Sequence, residues 1–302
     1  MARPERVIAV APGPRWHLHL GAHKTATTHV QQVLERIGPG LAPTGLHVVP
    51  PAAARRASMT MMRRRDRVLH LIGRTDPAQL RRALLSDAAR PETVLVSDEN
   101  VLGRLEDALD PVCYRGLTWR LRLLRRAIDG DPVTVFLAIR RMDRFLPAIY
   151  AQILRHRPPP KSFAAIKADL LNRPPRWSDV ADRIAAALPG TELRLWRYED
   201  YAGNERAVLS QLCGSDPGPL PEVPRPAETM TPSARRIAEI EALPRPRDRG
   251  AWIATVRDLL AKPEAEGAPP YRPFDAAESA RLGEAYASDC AELEAQARLI
   301  SP

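Results

Sequence analysis

"HLGAHKTATTHVQQVLERI" (residues 19–37) sets one glycine, one lysine and three threonines between an apolar run and a helical pattern. Upstream, Trp16–Leu20 alternates in polarity and runs into Gly21, which reads as a strand ending in a turn. Downstream, Val30, Val33, Leu34 and Ile37 recur at helical spacing over residues 27–37. The stretch is therefore a strand–loop–helix junction, the setting that an anion-binding loop requires, because helix N-terminal N–H groups and the helix dipole favour negative charge there. It is not a Walker A loop, in which a second glycine precedes a late lysine followed by Ser or Thr. Here Lys24 comes first and Thr25, Ala26, Thr27 and Thr28 follow. Two readings stand: a phosphate cradle using Lys24, Thr27 and Thr28, or a plain capping turn with Thr25 or Thr27 as cap.

Working outward, "GLHVVP" (45–50) reads as a short strand, and "TVLVSDEN" (93–100) and "VTVFLAIR" (133–140) as apolar strands ending in polar residues. Such continuous apolar runs suit a parallel sheet buried on both faces. "ELRLWRYED" (192–200) reads as a last strand. Helices are expected over 76–90, 114–128, 143–155 and 177–188, and later over 232–243, 252–262 and 275–300. The alternation predicts a three-layer α/β fold with a mostly parallel sheet. The expected organisation is a loose arm (1–15), an α/β core (16–214), then a proline-rich connector and helical cap packed on that core (215–302). The arginine- and methionine-crowded stretch 52–74 has poor amphipathic order, and its "RRASMTMMRRRDR" segment reads as a solvated loop or as a lid over anionic acceptors.

The chain has 302 residues and a net charge of +9, nearly all from arginine, since Lys24, Lys161, Lys167 and Lys262 are its only lysines. An arginine-, alanine- and proline-heavy composition commonly follows genomic base composition, and only 5% of residues are aromatic, so nucleic acid is not expected as a partner. Positive charge still favours anionic ligands. Cys113, Cys213 and Cys290 are widely spaced and read as free thiols. No apolar run reaches membrane-spanning length, and the expectation is a cytoplasmic protein without a membrane partner. The oligomeric state is not readable.

"GAHKTATTHVQ", then Ser97-Asp98-Glu99, then "LAIRRMDRFLPAIYAQ" (137–152) together resemble the sulfotransferase family, more narrowly its bacterial branch. There a loop like H-K-T-G-T-T-x-x-Q precedes a strand ending S-x-E, then R-R-x-D and, on the following helix, S-x-Y-x-Q. The "LRLWRYED" strand and the "FDAAESARLGEAYASDCAELEA" helix (274–295) look like that family's last core strand and closing helix. The resemblance implies a P-loop-type fold related to nucleotide kinases. It implies 3′-phosphoadenosine 5′-phosphosulfate as sulfuryl donor, no metal, and a hydroxyl or amine acceptor on a small molecule or glycan. By the same resemblance Lys24 stabilises the leaving group, Thr25–Thr28 hold the 5′-phosphate and Arg140 holds the 3′-phosphate. Two positions depart from the pattern: Ala26 replaces a glycine, and Ala148 replaces the serine that would join Arg140. Arg141 or Arg144 could compensate for that serine. These departures keep a non-catalytic nucleotide- or partner-binding member in play, and a P-loop kinase is disfavoured by the missing G-K-[ST] pair.

An acceptor also needs a base. Glu99 is the first candidate, set against a structural carboxylate at a strand end; His23 and His47 are weaker ones. His17 and His19 alternate along the first strand and read as packed or hydrogen-bonded there.

Overall fold

The computed structural model describes residues 13–62, 76–85, 90–128, 130–224, 230–246, 248–264 and 267–301. Most of the expected N-terminal arm, residues 63–75 and the end of the proline-rich connector lie outside these. The core is a five-stranded sheet in the order β2-β3-β1-β4-β5, formed by Arg15–His19 (β1), Leu46–Val48 (β2), Thr93–Ser97 (β3), Val133–Ile139 (β4) and Glu192–Arg197 (β5). Every pairing is parallel, so the sheet expected to be mostly parallel is wholly so among the described residues.

Period-2 alternation splits the strands between two apolar layers. Val135, Leu137 and Ile139 of β4 join one cluster with Trp16, Leu18, Val94 and Val96. Phe136 and Ala138 join the other with Leu95 and Trp196. Two helices, α1 (Thr27–Leu41) and α8 (Glu205–Cys213), cover the second face through Val30, Val33, Leu34, Val208, Leu209 and Leu212. The first face is covered by α2 (Pro51–Met62), α3 (Pro77–Leu85), α4 (Leu117–Ala127), α5 (Met142–His156), α6 (Phe163–Asn172) and α7 (Trp177–Ala187). The C-terminal helices α9 (Ala234–Glu241), α10 (Arg249–Ala261) and α11 (Ala276–Ala295) contribute apolar residues to that same cluster.

The stretch 52–74 departs from its expected irregularity. Its first part is α2, whose Ala53, Ala54, Ala57 and Ser58 are buried, so small residues rather than a wide apolar stripe dock it. Helices α6 and α8 were not foreseen. The first is announced by Ser162, whose side chain accepts from Ala165 N–H, and the second ends at Gly214, which has φ +74°. The last expected helix is shorter than 275–300. It stops at Ala295, and the chain then runs beside β5, with Leu195 N–H donating to Arg298 O (2.7 Å) and Ile300 N–H to Leu195 O (2.7 Å). This pairing covers part of an otherwise open sheet edge.

The C-terminal part is tied to the core by polar contacts as well. Trp252 Nε1 donates to Leu154 O (2.7 Å), and buried Asp289 of α11 accepts from Trp177 N (2.6 Å) and Ser178 N (3.3 Å) at the start of α7. Asp289 thus caps a helix 111–112 residues away in sequence, and its charge favours that helix end. Replacing Asp289 with alanine leaves those N–H groups buried and unpaired, and the expected loss in urea unfolding is about 1–3 kcal/mol.

Candidate functional site

Strand order reverses around β1, which lies between β3 and β4 while the chain first leaves for β2. Ligands of open parallel sheets bind outside the strand carboxyl ends at such a point. A cavity of about 1500 Å³ opens there, lined from β1–α1 by His23, Lys24, Ala26, Thr27 and Thr28, from beyond β3 by Glu99 and Asn100, and from β4 by Arg140. Tyr198 and Glu199 after β5, Gln152 and His156 of α5, and Arg249 of α10 complete much of the wall. Six cationic side chains (Lys24, Arg55, Arg104, Arg140, Arg157, Arg249) face it against three carboxylates (Glu99, Glu106, Glu199), so the cavity suits an anion.

The β1–α1 turn is closed by its own side chains. Thr25 Oγ1 donates to Ala22 O (2.6 Å) and accepts from Ala22 N–H (3.1 Å), while Thr27 Oγ1 donates to Ala22 O (3.3 Å). Both threonines are buried. Their hydroxyls are engaged in shaping the loop, and Thr27 also lines the cavity; Thr28 is exposed and lines the cavity as well. The first bond of α1 runs from Val30 N–H to Ala26 O (3.1 Å), so the N–H groups of Thr27 and Thr28 lie in the turn that has no intrahelical acceptor.

The turn needs left-handed backbone at Gly21 (φ +52°), Lys24 (φ +64°) and Ala26 (φ +64°). At Gly21 no other residue fits, since an added Cβ would sit 2.3 Å from Thr27 Oγ1. Ala26 adopts the conformation natural to glycine despite its Cβ, so the loop still closes there, under strain.

Lys24 and Arg140 are locked together. Arg140 Nη1 donates to Lys24 O (2.8 Å), its guanidinium lies 4.5 Å from the Tyr198 ring centroid, and its own carbonyl accepts from Trp177 Nε1 (2.8 Å). Lys24 Nζ donates to Gln152 Oε1 (3.4 Å). Burial, and then the nearby Arg155 and Arg140, lower the Lys24 pKa to about 8. Burial also lowers that of Arg140.

Glu99 accepts from Gln31 Nε2 (3.2 Å), which also donates to Ser97 O (3.0 Å), and Arg55 lies 3.9 Å from its other oxygen. The glutamine of the loop motif thus aims the carboxylate of the second motif. Next to it, burial and then the Glu99 charge raise the Asp98 pKa. His23 lines the cavity and contacts Tyr114, and burial lowers its pKa to about 4. His17 and His19 behave as read: Nδ1 of His17 meets Leu212 O (2.7 Å), and Nδ1 of His19 meets Ser97 Oγ (2.8 Å). His47, on edge strand β2, does not line the cavity.

Ala148 is not brought into the site. It is buried on α5 and absent from the cavity wall, as are Arg141 and Arg144. Both arginines are drawn to buried Asp143, with Arg141 Nε at 3.1 Å and Arg144 Nε at 3.4 Å. Among the wall residues to which the sequence reading gave no role, Tyr198 and Gln152 touch Arg140 and Lys24. Tyr198 falls inside the expected strand 192–200, which ends at Arg197, and its stacking on Arg140 depends on β4–β5 pairing. Gln152 stood in the quoted motif without a role. Among the described residues no group of three or more His, Cys, Asp or Glu side chains is placed to hold a metal ion.

The Ala26→Gly variant should relieve the left-handed strain and, after the added flexibility of the unfolded chain, raise unfolding stability by up to about 1 kcal/mol. Chemical denaturation checks it, and a destabilised variant would contradict the strain argument. Set against models of protein families the chain matches none, and set against curated proteins it likewise matches none, so the chemistry of the site rests on its own residues.

Proposed function

We propose that the protein is a sulfotransferase that moves the sulfuryl group of 3′-phosphoadenosine 5′-phosphosulfate to a hydroxyl or amine acceptor. One observation carries the reading: Lys24 from the end of β1 and Arg140 from the end of β4 line one cavity and are joined through the Lys24 carbonyl. A donor with phosphates at both 5′ and 3′ positions needs two such cationic points, whereas ATP has no use for the second. Arg140 offers a planar fork suited to a terminal phosphate.

The reaction has a loose, charge-separated transition state by analogy with phosphoryl transfer, so positioning and charge stabilisation do most of the work. The acceptor oxygen or nitrogen bonds to sulfur while the sulfur–oxygen bond to the 5′-phosphate breaks, and the acceptor proton leaves to a base. Lys24 stabilises charge on the departing phosphate oxygen. Open N–H groups of Thr27 and Thr28 with the Thr28 hydroxyl hold the 5′-phosphate. Glu99, aimed by Gln31, takes the proton. A carbohydrate acceptor fits the size and polarity of the cavity, and the reading places the enzyme in the cytoplasm; among the described residues no helix is long and apolar enough to cross a membrane.

A second reading, a nucleotide-binding member without turnover, is favoured by Ala148, which brings no hydroxyl to the 3′-phosphate, and by the engaged hydroxyls of Thr25 and Thr27. Calorimetry separates the readings from a kinase. Binding of 3′,5′-adenosine bisphosphate at least tenfold tighter than ATP is expected, and ATP preference would overturn the proposal. Arg140→Ala should cost roughly tenfold to a hundredfold in bisphosphate affinity and weaken 5′-AMP by less, the remainder coming through the Lys24 carbonyl that Arg140 holds. Lys24→Ala should lower turnover by roughly 10²–10³-fold, and a fully active variant would remove that lysine from the mechanism.

The pH dependence follows from Lys24. An anion beside the ammonium raises its pKa above the free value of about 8, so the benefit is complete below that pH and fades as pH climbs through the bound value. Bisphosphate affinity measured from pH 7 to pH 10 should therefore fall on the alkaline side, and Lys24→Ala should flatten that fall.

A further inference from the structure

Tyr114 is a strained residue near the site that the reaction has not used. It is fully buried, it lies in the left-handed region (φ +55°), and such a conformation is unusual for a bulky side chain. Its surroundings hold it there: Tyr114 N–H donates to Asp107 O (2.7 Å), and Arg183 of α7 donates to Tyr114 O (3.1 Å) and Cys113 O (2.5 Å). The consequence appears 91 residues away in sequence, where the hydroxyl meets His23 twice. It accepts from His23 N–H (3.3 Å) and lies 2.9 Å from His23 Nδ1, with the two rings stacked at 5.7 Å.

A phenol has one proton. The Tyr114 hydroxyl is buried, and among the described residues the acceptor within its reach is His23 Nδ1. The hydroxyl therefore donates to Nδ1, whose lone pair is filled. A neutral imidazole then carries its own proton on Nε2, and no protein group among the described residues accepts it. His23 itself forms part of the cavity wall.

We infer that Tyr114 is a positioning residue that fixes His23 as an Nε2–H donor towards an anionic oxygen in the cavity and clamps the backbone of the β1–α1 loop. His23 is thereby a hydrogen-bond donor to ligand and not the proton acceptor of the reaction. The tautomer stands on geometry alone; the identity of the anion, and the affinity by which the clamp is read, rest on the proposed sulfotransferase activity.

Long-range ¹⁵N–¹H correlation on ¹⁵N-histidine-labelled, nucleotide-free full chain reads the tautomer directly. The expected pattern for His23 is a protonated Nε2 and an unprotonated, hydrogen-bonded Nδ1; a protonated Nδ1 would overturn the inference. That measurement needs no variant and no turnover, so it decides even if the donor nucleotide does not bind. Tyr114→Phe keeps the ring and removes the hydroxyl. It should release His23 to a mixture of tautomers and weaken 3′,5′-adenosine bisphosphate about threefold to tenfold, the effect of one lost hydrogen bond on the loop. A folded Tyr114→Phe protein with an unchanged His23 spectrum would refute the tautomer lock, and one with unchanged bisphosphate affinity would refute the clamp.

Discussion

The turn between β1 and α1 has to join the strand to the helix at the cavity wall while its own polar atoms stay satisfied. Everything around the site follows from that requirement. Thr25 and Thr27 hydroxyls meet the Ala22 carbonyl, Arg140 takes the Lys24 carbonyl, and Tyr114 takes the His23 N–H. Each contact pairs a donor or acceptor that burial would otherwise leave unsatisfied. The cost is left-handed backbone at three residues, of which only Gly21 lacks a Cβ.

Charge is arranged by the same logic. Burying Lys24 beside Arg140 and Arg155 lowers its pKa to about 8, which makes it a cation that an incoming anion stabilises strongly. The two arginines that could have joined the site, Arg141 and Arg144, are drawn off by Asp143. Glu199 after β5 is likewise committed, accepting from Arg141 N–H (3.0 Å) and from the Tyr286 hydroxyl (3.2 Å) of α11. The last helix therefore supports the wall of the cavity by bracing the segment that carries Tyr198 against Arg140.

Sheet and site location were legible in residues 16–20, 93–100 and 133–140, because strands buried on both faces must be apolar throughout and a parallel sheet concentrates its polar residues at one end. Helix α6 was missed because its apolar residues are spread around the helix and leave a weak periodic signal, although Ser162 marked its start. Helix α2 was missed because alanines dock it, and small residues leave a weak periodic signal.

The sequence by itself determined the class of fold, the strand–loop–helix at residues 19–37, and the identity of Lys24, Glu99 and Arg140 as candidate groups. Those features are local: they depend on spacing, on apolar runs and on residue type. Tertiary structure alone decided that Thr25 and Thr27 serve the loop, that Ala148 stays out of the cavity, that Asp289 caps a distant helix and that Tyr114 reaches His23. Apart from the place of Ala148, which is packing alone, each of these joins a hydrogen-bond donor to an acceptor, and which acceptor a buried donor reaches is set by the packing of the sheet and its two helical layers, which no spacing along the chain records.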